Sequence, residues 1–128
     1  MIGVLPKSEI NELLAMAQAD GLTLTDLARI CQAFNIAPKQ VLNELSVAVA
    51  GGYLDGSLAY EFCDDVMNGI INAVVEVSMT EDIPQPAFLL YQAFDQGEWL
   101  RSDDPLGTDT GENYTKPLVV KIMQTLKG

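Results

Sequence analysis

The sequence predicts an all-α protein, a compact single-domain bundle of about six helices over residues 1–128, with a long acidic loop before the last helix. Three observations carry this. Apolar residues recur at three- and four-residue spacing through most of the chain, and no segment sustains the alternation of a strand. Helix punctuation recurs along it, with Ser, Thr or Pro at starts and Gly at stops. A chain of 128 residues that is 48% hydrophobic can bury one core without disulfides or a metal, and no repeat or linker marks a second domain.

The elements follow in order. The first helix begins after Ser8, a good N-cap, places Ile10, Leu13, Leu14 and Ala17 on one face and stops at Gly21. The second follows Thr23 or Thr25 and buries Leu27, Ile30, Cys31 and Phe34. The third starts at Pro38, which suits a first helical turn, carries Val41, Leu42, Leu45 and Val49, and stops at Gly51-Gly52. Ser57 caps the longest helix, residues 58–78, whose apolar side includes Phe62, Met67, Ile70, Val74 and Val77. Glu61, Asp65, Asn68, Asn72 and Glu76 form a polar stripe opposite. Beyond Pro84 and Pro86, a fifth helix over residues 87–96 groups Ala87, Leu90, Tyr91 and Phe94, with Gly97 as its stop. Residues 98–113 hold two glycines, a proline and five acids without periodicity, and so read as a loop. The last helix begins after Thr115 with Pro117 in its first turn and buries Leu118, Val119, Ile122 and Leu126. Lys121 and Lys127 suit its C-terminal half by the helix dipole.

Charge is the most unusual property. Eighteen acids against seven bases give a net charge of −11. Residues 55–112 carry thirteen of the acids and only Arg101, whereas residues 113–128 carry three lysines and no acid. Such a field repels nucleic acid and anionic membranes and draws basic proteins, so the expected partner is a basic protein. The longest apolar stretch, residues 69–77, is interrupted by Asn72 and Glu76 and is too short to span a bilayer. Residues 1–7 lack the pattern of a signal peptide, and Cys31 and Cys63 read as buried free thiols, so the expected location is the cytoplasm.

Catalysis finds little support. With no histidine, the commonest general base and every Ser-His or Cys-His nucleophile are missing. Two distant cysteines make no metal-ligand spacing, and Asp103, Asp104, Asp109 and Glu112 lack the pattern of a calcium loop. Asp64 and Asp65 are adjacent on a helix and point about 100° apart, so they do not converge as an acid/base pair. The expectation is a non-enzyme with no cofactor and no metal. Residues 25–45 have the size of a helix-turn-helix, yet offer only Lys39 and Gln40 near the start of the second helix, too little for a DNA reader.

Three stretches carry a family resemblance: YEFCDDVMN (residues 60–68), PAFLLYQAFDQGEW (86–99), and DDP followed by NYTKPLV (113–119). Together they resemble small acidic bacterial immunity proteins of polymorphic toxin and contact-dependent inhibition systems. The similarity covers about half the chain, and its most specific part is AFDQGE paired with YTKP. It implies a protein that binds and neutralises a cognate toxin, and it assigns no residue a role. Read with the charge, it gives an immunity protein covering the basic cleft of a nuclease-type toxin with an acidic surface. The residues expected to carry binding are Glu61, Asp65, Glu98, Trp99, Asp103, Asp104 and Asp109. An ion pair from Lys116 or Arg101 to Asp95 or Glu98 would clasp the loop. The alternative is a helical adaptor that binds an endogenous protein through the helix pair of residues 25–45.

Overall fold

A computed structural model describes residues 5–127, the side chain of Lys127 excepted. Its six α-helices are α1 (Lys7–Asp20), α2 (Leu24–Phe34), α3 (Pro38–Asp55), α4 (Tyr60–Ser78), α5 (Ala87–Asp95) and α6 (Lys116–Lys127). A π-helical turn, Gly111–Thr115, leads directly into α6, and there is no strand among the described residues. The all-α expectation holds.

The helix α4 lies at the centre and packs against α1, α3 and α5. Its buried side, Cys63, Val66, Met67, Ile70, Ala73, Val74 and Val77, recurs every three or four residues. From α3, Val41, Leu42, Leu45 and Val49 close the core, with Leu13 of α1, Leu27 and Ile30 of α2, Phe94 of α5 and Val119 of α6 around them. Because α3 touches α1, α2, α4, α5 and α6, it is an internal scaffold and not an exposed reading helix. Even Glu44 on α3 is buried, accepting from the Leu5 amide at 3.1 Å and from the Gln40 side chain at 3.3 Å. The α1 and α4 backbones meet at Gly69, where any Cβ would overlap the Ala17 carbonyl oxygen. There the Leu22 amide donates to the Gly69 carbonyl at 2.9 Å.

Several boundaries match the sequence reading and several differ. Thr23 caps α2 in a full capping box with Asp26, and Pro38 opens α3. Ser8 lies inside α1, which starts one residue earlier after Pro6. Gly51 and Gly52 do not end α3. The helix runs on to Asp55 and stops at Gly56, whose φ of 85° is the left-handed conformation glycine tolerates. Gly52 serves close packing instead, since a Cβ there would stand 2.5 Å from the Leu58 side chain. Ser57 belongs to this turn, its amide donating to Asp55 Oδ1 at 2.8 Å, and α4 starts at Tyr60 after Ala59. On α6, Val119 is fully buried, but Leu118 and Leu126 face outward.

Candidate functional site: an acidic face around the end of the fifth helix

The C-terminus of α5 is where four acids of the middle segment, Asp64, Asp65, Asp95 and Glu98, come together. Asp95 ends the helix, and the following turn brings Glu98 back over it, the Glu98 amide donating to the Asp95 carbonyl at 3.1 Å. Gly97 makes this turn possible. A Cβ at that position would overlap the Thr115 hydroxyl and stand 2.8 Å from Tyr60 Oη. Thr115 is buried and donates to the Ala93 carbonyl at 2.7 Å, while Tyr60 donates to the Phe94 carbonyl at 2.5 Å. The carbonyls at the end of α5, which a helix leaves without intrahelical partners, are thus capped by side chains from α4 and the π turn.

Packing of α4 beside this cap places Asp64 next to Glu98 and Asp95, and Asn68 donates to Glu98 Oε2 at 3.0 Å. Burial first, then hydrogen bonding to and repulsion from Glu98, push the Asp64 carboxyl up to about 8. Asp95 is raised too, chiefly by burial and then by Glu98. Two carboxylates share a hydrogen bond only when a proton lies between them, so the cluster retains one near neutral pH. The negative end of the α5 dipole adds to the repulsion, and no basic residue occupies the last turn of α5. Among the described residues the ion pairs are Arg29 with Glu12 at 3.9 Å and Lys116 with Glu112 at 3.3 Å, and neither neutralises this cluster.

The loop that follows is tied down without the expected clasp. Arg101 Nη1 donates to the Gln96 carbonyl at 2.7 Å and the Trp99 carbonyl at 2.9 Å, and Nη2 donates to Gln96 Oε1 at 2.9 Å. Its guanidinium lies 4.5 Å from the Trp99 ring centroid and 3.5 Å from that of Tyr114. The planar fork is matched to main-chain carbonyls and stacks on aromatic faces, which is why it does not reach Asp95 or Glu98. Asp104 completes the arrangement, accepting from the Arg101 amide at 2.9 Å and from Tyr114 Oη at 2.5 Å. The tyrosine hydrogen bond, with the Arg101 amide, holds Asp104 below the usual carboxylate range. The expected loop is also shorter than residues 98–113, because Gly111–Thr115 is helical. Tyr53 Oη donates to the Gly111 carbonyl at 3.1 Å, and Thr110 Oγ1 donates to the Gly97 carbonyl.

The seven residues expected from the sequence therefore sit in different settings. Glu98 joins the cluster, and Asp65 is exposed beside it, adding to the repulsion on Asp64. Glu61 is exposed one turn before Asp65 on α4. Trp99, 46% exposed, presents one ring face to Arg101. Asp103 is exposed beside Asp104, whose two oxygens are both engaged. Asp109 accepts from the Glu112 amide at 3.0 Å at the start of the π turn. Sequence reasoning missed Asp64 and Asp95, and no local signal marks them, because only the α4–α5 packing brings them together. Among the described residues, no group of His, Cys, Asp and Glu side chains is placed to hold a metal ion. No helix among them is long and apolar enough to cross a membrane. Comparison with protein families, curated proteins and solved structures finds no match to this chain.

Proposed function

We propose that this protein is an immunity protein that binds a basic bacterial toxin domain, of nuclease type, through the acidic face built by the first half of α4, the end of α5 and the 96–110 segment. One observation carries the binding mode: Asp64, Asp95 and Glu98 come together with no ion pair to a cation among the described residues. Burial and mutual repulsion push the Asp64 and Asp95 carboxyls up, so that Asp64 favours its protonated form near neutral pH. A lysine or arginine from a partner replaces that proton and converts repulsion into charge-assisted hydrogen bonds. On the segment that follows, Trp99, Leu100 and the almost fully exposed Leu106 add apolar surface, and tryptophan is a residue type enriched in interface hot spots. The toxin itself is inferred from the three resembling stretches, and the acidic field supports a partner whose own ligand is a polyanion.

Two measurements test this. Capture with the tagged chain from the source cell, at low and at moderate salt, yields a single stoichiometric protein with a C-terminal toxin domain. Recovery of a housekeeping protein, or of nothing, removes the immunity reading. Calorimetry of the isolated pair in buffers of different ionisation enthalpy then shows release of about one proton on binding near neutral pH, lost in Asp64→Asn. Binding with no proton release places the partner elsewhere on the surface.

A further inference from the structure

The helix α5 separates two surfaces of opposite character. Asp95 faces the carboxylate cluster, whereas Leu89, about 120° away around the helix, lines an apolar groove shared with α6. Ala93 and Ile122 lie deepest in it, Leu89, Leu118 and Leu126 form its walls, and Lys121 stands at its rim. The groove holds about 640 Å³. Pro86 and Leu126 also line a second hollow of about 650 Å³ that reaches Lys39 and Val47 on α3, so the apolar surface continues across three helices. The three leucine walls are 46%, 40% and 47% exposed, and clustered exposure of this kind marks interaction surfaces on soluble domains.

The local charge is reversed from that of the chain. Of eighteen acids none lines either hollow, while two of the seven bases, Lys39 and Lys121, do. We propose that this groove docks an amphipathic helix of a partner protein whose flanks carry carboxylates. The groove runs beside twelve-residue α6, about 18 Å long, enough for a guest helix to set anchors at i, i+3 or i+4, and i+7. Acidic flanks on the guest meet Lys39 and Lys121, whereas basic flanks are repelled by them. The negative field of the rest of the chain does not prevent this, because at physiological salt it is screened beyond about 8 Å and the rim lysines act at contact. A second copy of this chain fits less well, since its α6 segment would bring lysines and no acid against the same lysine rim.

Two synthetic helical peptides with the same leucine stripe, one flanked by glutamates and one by lysines, test the proposal by fluorescence anisotropy against the full chain. The glutamate-flanked peptide binds roughly fivefold tighter or more. Leu89→Glu weakens it roughly tenfold or more, and Lys121→Glu reverses the preference between the peptides. Both positions are solvent-facing, so both variants keep the fold, which circular dichroism verifies. Equal affinity for the two peptides overturns the charge selection. Binding by neither peptide, or binding undiminished in Leu89→Glu, overturns the groove. Sedimentation of the free chain as a dimer that Leu89→Glu dissociates assigns the face to a second copy instead, and also overturns it.

Discussion

At the scale of single residues, Asp64 is a carboxyl whose surroundings oppose its charge. Asp65, Asp95 and Glu98 face it, Tyr60 stands nearby, and the folded chain holds its proton up to about pH 8 while the unfolded chain releases it near 3.8. Between those limits the folded state binds more protons than the unfolded, so stability falls as pH rises. Asp64→Asn removes most of that slope: thermal unfolding midpoints measured from pH 5 to 8 decline for the natural chain and stay nearly level for the variant. An equal decline in both would show that Asp64 does not hold the proton. Gly69 is the second telling residue. With the Ala17 carbonyl against its Cα, Gly69→Ala forces α1 away from α4 and costs about 1–3 kcal/mol in a denaturant titration. An unchanged midpoint would mean that α1 is free to shift at no cost.

Among the elements, the segment between α5 and α6 owes its order to side chains and not to regular structure. Arg101 stacked on Trp99 and Tyr114, Tyr114 bonded to Asp104, and Thr110 and Thr115 bonded to the α5 end hold residues 96–115 in place. Tyr114→Phe keeps the ring over Arg101 and removes the hydroxyl that Asp104 accepts from. The expected result is faster proteolytic cleavage within residues 99–108, with the global unfolding midpoint lowered by no more than about 1–2 kcal/mol of stability. Cleavage at the natural rate would assign the order to the cation–π stack alone. The helix starts at Thr23 and Pro38 were readable because capping chemistry is local, a side chain reaching three residues along its own chain. Gly52 was misread as a helix stop for the opposite reason. A glycine that ends a helix and one that admits a side chain from the next turn look alike in sequence. At Gly52 the Leu58 side chain decides the latter, whereas Gly97 does both, ending α5 and admitting Thr115.

Over the whole molecule, charge is segregated: an acidic face on one side of α5, and a groove lined by lysines and no acid on the other. Partner association at the acidic face slows steeply as salt increases, because steering acts at a distance and is screened. Asp103→Lys tests this more cleanly than a change at Asp104, since Asp103 is exposed and Asp104 is bonded into the loop. The variant lowers the association rate constant severalfold, leaving dissociation nearly unchanged, and a rate insensitive to both salt and this substitution would remove steering from the mechanism. Six helices, the core face of α3 and the excess of acid between residues 55 and 112 were determined by the sequence by itself, because periodicity and charge are properties of short stretches. Only the tertiary structure decided that Asp64 and Asp95, thirty-one positions apart, meet at Glu98, that Arg101 turns to carbonyls, and that Leu118 and Leu126 face outward. Each of those outcomes depends on which helix lies beside which. That choice is made by the fit of whole faces such as Gly69 against Ala17, and no local window of the chain contains both halves of the fit.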